Sequence, residues 1–176
     1  IGRNEKVLVM RVFIAVLVLI FSFQSWTKAD DISDFEIEGM SIGDSLLDYF
    51  SKSSINSNKK NWYRSKLYSA SLFSKRGNLY DQVAVNYKTD DNKYIIKSLA
   101  GIKFYKNNIN DCYIKMKEIE KSISDVVTNT RKINERTAKH HNDKSGKSTI
   151  REIIFIFKTN DTILIQCYDW SKERKA

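Results

Sequence analysis

The two cysteines lie on periodic apolar segments, and this placement constrains the fold more than any other feature of the sequence. From residue 110 onward, apolar side chains recur at the spacing of one helical face, at Cys112, Met116, Ile119, Ile123 and Val126. Near the carboxyl end, Ile163, Ile165 and Cys167 alternate along a candidate strand and therefore share one face. If the helix packs on that face, the two sulfur atoms meet.

The amino-terminal region predicts export. Residues 12–23, VFIAVLVLIFSF, form an uninterrupted apolar run, and residues 27–29 place small side chains one and three positions before an expected cleavage site. That is the organisation of a signal peptide, and the run is shorter than the roughly 20 residues that span a bilayer. We therefore expect a signal peptide over residues 1–29, with residues 1–9 upstream of a true start at Met10. The alternative is an uncleaved membrane anchor.

Export bears directly on the cysteines. An exported chain enters an oxidising compartment, where paired cysteines form disulfides. Because Cys112 and Cys167 are the only two cysteines of the chain, we expect them to be bonded to each other. On the chain-entropy model, closing such a loop stabilises a fold by about 4 kcal/mol at most. The alternative is two buried free thiols.

The remaining periodicity predicts an α+β fold: a mainly antiparallel sheet of about five to six strands with two helices packed on it. We expect it to be a single domain over residues 30–176. The candidate strands are 34–38, 66–73, 80–88, 94–105, 150–158 and 162–169, and the candidate helices are 42–52 and 110–127.

Other segments carry weaker signals. Residues 53–61 are polar and are predicted to form a loop, and residues 128–149 are predicted to extend the helix and then form a mobile loop. Residues 150–158 are apolar on both faces, which predicts a central position in the sheet. Gly101 inside a candidate strand predicts a bulge or a kink.

Several stretches carry a resemblance to a known group of proteins. They are DISDFEIEGMSIGDSLLDYFS at 31–51, YDQVAVNYKTDDNKYIIKSLAGIKFYKNNINDCY at 80–113, and DKSGKST with CYDWS at 143–149 and 167–171. In these stretches the chain resembles an uncharacterised family of small exported proteins from Pelagibacter-type marine alphaproteobacteria. The resemblance covers most of residues 30–176 and implies export. It implies no activity, because that family has none assigned.

Composition excludes several classes of protein. The chain is 41% hydrophobic, 12% aromatic and 29% charged, which rules out collagen-like, polytopic membrane and wholly disordered proteins. The net charge is +9, yet residues 30–54 carry seven acidic residues and one lysine. A basic body attracts anionic partners. The lack of proline and the abundance of Lys, Ile and Asn indicate AT-rich coding bias instead, so nucleic acid is not expected as a partner.

The segment KKNWYRSK at 59–66 interleaves aromatic rings with cations, which is typical of single-strand nucleic-acid binders and membrane-surface segments. As a ligand site, Trp62 and Tyr63 would stack on a base or sugar or lie at a lipid headgroup, with Arg64 on a phosphate. The alternative, which an isolated Trp-Tyr pair before a strand favours, is that the rings plug the end of a sheet.

A second candidate ligand contact is formed by His140, His141, Asp169 and Trp170. Imidazoles bind metals well, but adjacent residues rarely converge on one ion, so neither a metal nor a cofactor is expected. The sequence GKST at 146–149 matches the end of a phosphate-binding loop but has His141 where that loop needs glycine. For Trp170 the favoured alternative is closure of the core edge, and no catalytic group is predicted.

These observations favour an exported, periplasmic, non-catalytic envelope or ligand-binding protein, whose partner would be an envelope protein or a small ligand. One alternative is a small periplasmic enzyme that uses residues 139–149 and the Asp169 end of the sheet. The other is a basic protein that contacts a membrane surface or a polyanion. A deep pocket lined by paired ionisable groups would favour the enzyme, and a contiguous cationic surface centred on Trp62 would favour the surface binder.

Expressed with its own leader in a Gram-negative host, the chain is expected in the periplasm with Asp30 as its first residue, because signal peptidase would cleave after Ala29. Intact-mass spectrometry of the periplasmic fraction measures this terminus. A full-length chain held in the inner membrane would contradict cleavage.

Overall fold

The structure, a computed structural model, describes Ala29 and residues 31–74, 79–106 and 108–171. Within these ranges the chain is α+β, with nine strands in three antiparallel sheets and two α-helices. The predicted α+β class is confirmed. The prediction of one sheet with five to six strands is wrong, because the strands separate into sheets that cover different cores.

The first sheet is a short hairpin, the second has the order β3-β4-β5-β6, and the third has the order β7-β8-β9. The strands are β1 Glu36–Ile37, β2 Met40–Ser41, β3 Lys59–Lys60, β4 Tyr68–Ser74, β5 Gln82–Lys88, β6 Ile96–Ile102, β7 Arg131–Lys139, β8 Thr149–Ile156 and β9 Thr162–Asp169. The helices are α1 Lys52–Ser57 and α2 Ile109–Val126, with short 3₁₀ helices at Ile32–Asp34 and Leu46–Asp48. None of the described helices is long and apolar enough to cross a bilayer.

The first core lies between the four-stranded sheet and the segment that precedes it. Alternation along β4 and β5 points Phe73, Val83, Val85 and Tyr87 inward. Residues of the preceding segment and of β6 complete the core, namely Met40, Leu46, Ile55 and Ile96. Because Ile55 lies on α1, this short helix covers one side of the core. The carbonyl oxygen of Ile55 accepts a hydrogen bond from the Ser71 hydroxyl at 3.0 Å.

The predicted helix over 42–52 is wrong, and tertiary contacts explain why. Gly43 has φ +97°, a conformation that ends regular structure. The Gly43 amide donates to the Ile96 carbonyl at 3.0 Å, and the Ile96 amide donates to the Asp44 carbonyl at 2.9 Å. These bonds tie the segment to β6 before a helix can start. The α-helix forms later, at Lys52–Ser57, inside the stretch predicted to be a loop.

The second core lies between α2 and the three-stranded sheet. It contains Met116 from α2, Ile153 and Phe155 from β8, and Ile165 and Cys167 from β9. Cys112 and Cys167 form a disulfide with their Cα atoms 6.0 Å apart, within the range that bonded cysteines adopt. The predicted α2 stripe is confirmed from Cys112 to Ile123, but Val127 and not Val126 packs on the core at its end. The predicted face of β9 and the central position of β8 are also confirmed.

Strand β7 was not predicted, since its nine residues carry only one large apolar side chain, Ile133. Its antiparallel pairing with β8 holds it in the sheet, and ion pairs connect it to α2: Lys132 with Glu120 at 2.5 Å, and Glu135 with Lys117 at 2.8 Å. A charged edge strand of this kind leaves no alternating apolar signal in the sequence. The predicted helix extension and mobile loop over 128–149 are therefore wrong for residues 131–139.

Gly101 does not form the predicted bulge. It pairs with Val83 in regular register, and the register shift lies between Asn86 and Tyr87 instead. The physical requirement at Gly101 is space, because a Cβ atom there would lie 2.4 Å from Cε1 of Tyr80. The ring of Tyr80 thus occupies the position that any other residue's side chain would need.

Two contacts join the amino-terminal segment to the second core. Phe35 packs edge-on against Phe157, with ring centroids 6.2 Å apart. The Ala29 amide donates to the Val126 carbonyl at 2.9 Å, and the Ala29 carbonyl accepts from the Thr128 amide at 3.2 Å. The rest of the predicted signal peptide lies outside the described residues. Cleavage after Ala29 would remove this bridge from the mature chain.

Removal of the disulfide by Cys112→Ser with Cys167→Ser should lower the free energy of unfolding by about 2–4 kcal/mol, because the unfolded chain regains its loop entropy. Urea denaturation with and without reductant measures the loss. The double variant should be insensitive to reductant, and a wild type whose midpoint is equally insensitive would contradict the prediction.

Gly101→Ala should destabilise the fold by about 1–3 kcal/mol, since the new methyl group overlaps the Tyr80 ring. Tyr80→Ala removes the ring, so adding Gly101→Ala in that background should be neutral or stabilising, as alanine is favoured over glycine in a strand. A double-mutant cycle by thermal unfolding measures the coupling, and additive effects would show that the two residues do not compete for space.

Candidate functional site

Trp62, Tyr63 and Arg64 lie at one end of the four-stranded sheet. Antiparallel order brings the β3–β4 and β5–β6 connections to this same end. The Thr89 amide donates to the Leu67 carbonyl at 3.0 Å, and the Ser69 and Thr89 hydroxyl oxygens lie 3.1 Å apart. The two connections therefore form one joined surface.

The β5–β6 connection is fixed by Asp91. Its carboxylate accepts hydrogen bonds from the backbone amides of Lys93 at 2.9 Å and Ile95 at 3.1 Å. These bonds hold the pKa of Asp91 below its usual range, because they stabilise the charged form. Asp91 is therefore a turn-forming residue, and the surface beside it has a defined shape.

The surface presents large apolar side chains to solvent. The exposed fractions are 51% for Trp62, 45% for Tyr63, 71% for Leu67 and 42% for Tyr68. The rings of Tyr63 and Tyr68 are tilted against each other with centroids 6.4 Å apart. About half of each of these two residues, Trp62 and Tyr63, is exposed, so neither is buried at this end of the sheet. The alternative that they plug the sheet end stays a prediction.

The same strands and connections carry exposed cations. Lys59, Lys60, Arg64, Lys66 and Lys88 are all exposed. An open cleft of about 420 Å³ runs beside them and is lined by Leu67, Tyr68, Lys88, Asp90 and Asp91. We call Trp62, Tyr63, Arg64, Lys66, Leu67, Tyr68 and Lys88 the tip surface.

Leu67, Tyr68 and Lys88 were missed as site residues by the sequence reasoning. The register pairs Tyr68 with Lys88 on adjacent strands. The available signal was positional: Lys88 ends a predicted strand, and Tyr68 lies just after the aromatic–basic segment. Strand pairing, which the sequence did not determine, was needed to bring them together.

His140, His141 and Trp170 meet at one end of the three-stranded sheet. The imidazole rings of His140 and His141 are stacked with centroids 5.0 Å apart, and the Trp170 ring lies 4.5 Å from that of His140. Tyr168 stacks on Trp170 at 5.6 Å. Nδ1 of His140 accepts a hydrogen bond from the Asn142 amide at 3.1 Å. His140 is buried within this ring cluster, and ring packing accounts for its position.

The turn that follows His140 is closed by Asp143. Its carboxylate accepts from the Ser148 hydroxyl at 2.5 Å, from the Ser148 amide at 2.9 Å and from the Ser145 hydroxyl at 2.8 Å. These donors hold the pKa of Asp143 well below its usual range. The Ser148 amide, which a phosphate-binding loop would leave for its ligand, is thus already bonded to a carboxylate.

Asp169 lies at the end of β9, where the register pairs it with Thr149. The structure brings His140, His141 and Trp170 together, but it places Trp62, Tyr63 and Arg64 on the other large sheet. Among the residues that the structure describes, no group of three or more His, Cys, Asp or Glu side chains is arranged to hold a metal. The ligand contacts at both sheet ends remain predictions.

The acidic residues near the amino terminus are used within the fold. The Asp31 carboxylate accepts from the Ser33 amide at 2.9 Å and caps the first 3₁₀ helix. The Asp44 carboxylate accepts from the Tyr49 hydroxyl at 2.5 Å, which raises the pKa of Tyr49 to about 12. Glu38 accepts from the Tyr80 amide at 3.3 Å. Asp31 and Asp44 therefore serve local turns and caps, whereas Glu38 contacts a residue 42 positions later in the chain.

Comparison with known proteins gives no match: no protein-family model fits the chain, and no curated protein or solved structure is significantly similar to it.

Asp143→Asn should lower the urea midpoint at pH 7, because the variant loses a carboxylate that accepts four hydrogen bonds from Ser145 and Ser148. Since the folded pKa is depressed, this stability is present above the unfolded carboxyl value of about 3.9 and is lost as pH falls below it. The difference between variant and wild type should therefore shrink on acidification. Asp90→Asn, on an exposed turn, is the matched control, and a difference that does not vary with pH would contradict the assignment.

Proposed function

We propose that this chain is an exported, non-catalytic envelope protein that binds an anionic membrane surface through the tip surface. The observation that carries the proposal is the group of half-exposed aromatic and leucine side chains at one sheet end, with exposed lysines and arginine on the same strands and connections. A surface binder was expected to carry cations around Trp62, and exposed Lys60, Arg64 and Lys66 close to Trp62 in the sequence support this proposal.

The composition of the tip surface matches the chemistry of a bilayer interface. Trp and Tyr are enriched at membrane–water interfaces, because each has an apolar body and a polar atom that stays hydrated. Leu67, at 71% exposure, would enter the acyl boundary. Each Lys or Arg near an anionic leaflet contributes about 1 kcal/mol of attraction, so Arg64, Lys66 and Lys88 favour binding, and the neighbouring carboxylates of Asp90 and Asp91 oppose part of this attraction.

The shape of the neighbouring cleft supports a surface partner over a small enclosed substrate. The cleft is open, and of its two carboxylates Asp91 is occupied by backbone amides. Binding to a membrane through exposed side chains needs no enclosed pocket; the tip surface has only to reach the bilayer surface.

Export is supported by two independent features. The amino-terminal apolar run has the pattern of a signal peptide, and the Cys112–Cys167 disulfide fits an oxidising compartment. A periplasmic protein would meet two anionic or zwitterionic leaflets. The tip surface would hold the chain at one of them reversibly.

Binding to phosphatidylglycerol-containing vesicles, but only weakly to phosphatidylcholine vesicles, is the expected result. Without the leader the chain has two tryptophans, Trp62 and Trp170, so Trp170→Phe leaves Trp62 as the single reporter. Its fluorescence should shift to the blue on binding, as the indole leaves water. At about 1 M salt, where the Debye length is about 3 Å, the affinity should fall at least tenfold.

Matched variants separate the tip surface from general basicity. Arg64→Glu with Lys66→Glu should reduce vesicle affinity at least tenfold, whereas Lys144→Glu with Lys158→Glu changes the net charge equally at other exposed positions and should have a smaller effect. Leu67→Ala should weaken binding and Ile114→Ala, exposed on α2, should not. Equal losses in both charge pairs, or binding to single-stranded DNA that persists at high salt, would overturn the proposal.

A further inference from the structure

The two edge strands of the three-stranded sheet differ in chemistry. Strand β7 carries Arg131, Lys132, Arg136 and Lys139, and its register with β8 shifts between Ile133 and Arg136. Charged side chains and irregular register are the features by which edge strands avoid pairing with other chains. Strand β9 lacks both features over residues 162–168, TILIQCY: every side chain there is uncharged, and the register with β8 is regular.

The free side of β9 is available in the described part of the chain. The sheet order ends at β9, so its backbone is paired to β8 on one side and to no described strand on the other. Because Ile163, Ile165 and Cys167 pack toward α2, alternation places Leu164, Gln166 and Tyr168 on the opposite face. Leu164 and Tyr168 remain 51% and 41% exposed.

We infer that β9 is a dimerisation edge, which pairs antiparallel with β9 of a second copy of this chain. The proposal is independent of membrane binding by the tip surface. Its partner is a second copy because the strand is self-complementary: with Gln166 opposite its counterpart, Leu164 of each chain lies across from Tyr168 of the other. Directly opposed side chains have Cβ atoms about 4.5–5.5 Å apart, so each exposed leucine would pack on an exposed tyrosine ring.

Side-chain contacts within the chain fix the position of Gln166, the residue at the centre of this register. The Tyr168 hydroxyl donates to Oε1 of Gln166 at 2.9 Å, and Nε2 of Gln166 donates to Oε2 of Glu152 at 2.8 Å. Gln166 is therefore held against its own sheet, and its polar atoms have partners without a second chain. The dimer would join two three-stranded sheets into one, with both α2 helices on the same face.

The chemistry of β7 explains why association would stop at two copies. Pairing of β9 with β7 of another molecule would leave open edges and propagate, whereas pairing of two β9 strands closes with two-fold symmetry. Strand β7 carries four cations and one carboxylate, Glu135, so pairing of β7 with another β7 would bring mostly like charges together and is disfavoured. Of the pairings open to the two edges of this sheet, the closed pair of β9 strands is therefore the one that the inference takes.

Sedimentation velocity of the oxidised chain over a concentration series tests the inference. The expected result is a reversible monomer–dimer equilibrium, and Leu164→Lys should raise the dimer dissociation constant at least tenfold. Ile114→Lys, which introduces the same side chain at an exposed position of α2, should leave the constant unchanged. Circular dichroism and the Cys112–Cys167 bond report whether each variant is folded.

If Leu164→Lys does not fold, Thr162→Lys at the exposed start of β9 replaces it with the same expectation. Hydrogen exchange supplies a second readout: amides of β9 should exchange more slowly in the dimer than after dilution. A wild type that is monomeric at every concentration, or a dimer that forms equally well in the β9 variants, would overturn the inference.

Discussion

The covalent bond between Cys112 and Cys167 is the constraint on which the carboxyl-terminal half depends, because it fixes α2 to the last strand of a small sheet. The bonded Cα atoms are 6.0 Å apart, and Met116, Ile153, Phe155 and Ile165 pack around them. A three-stranded sheet with one helix buries little apolar surface, and small cores commonly need such a crosslink. The bond therefore stabilises a layer that supports both the ring cluster at His140 and the free edge of β9.

The amino-terminal half is stabilised differently, by short polar contacts that shape irregular backbone over an apolar core. Asp44 and Asp91 accept hydrogen bonds that hold turns in place, and the carbonyl of Ile55 accepts from the buried Ser71. Because these turns are fixed, the end of the four-stranded sheet can expose Trp62 and Leu67 without losing its form. A rigid scaffold that displays apolar side chains is what reversible association with a surface requires.

Strong periodicity made the second core predictable. Each of three patterns favoured one arrangement: the spacing of the apolar residues in α2, the alternation around Ile165, and the apolar character of both faces of β8. The cysteines then indicated which faces meet. The disulfide followed from the same pattern. In this core the periodicity of each segment agrees with the tertiary packing, so the sequence alone predicted which residues are buried.

The remaining features depend on contacts between distant residues. Strand β7 is held by pairing with β8 and by ion pairs of Lys132 and Glu135 with α2, and its own sequence resembles a polar loop. The segment near Gly43 has helical spacing but is hydrogen-bonded to Ile96 of β6. The tip surface combines side chains from two connections, and only tertiary contacts such as the Tyr68–Lys88 pairing bring them to one surface.

Peptide mapping of the protein recovered from the periplasm, alkylated without reductant, tests most directly the claim that this is an exported fold closed by one crosslink. Trypsin would release residues 107–115 and 159–172, which contain the two cysteines. The account predicts that these peptides are recovered as one disulfide-linked species that separates on reduction. Recovery of both cysteines in alkylated form would contradict it, because α2 would then not be fixed to β9.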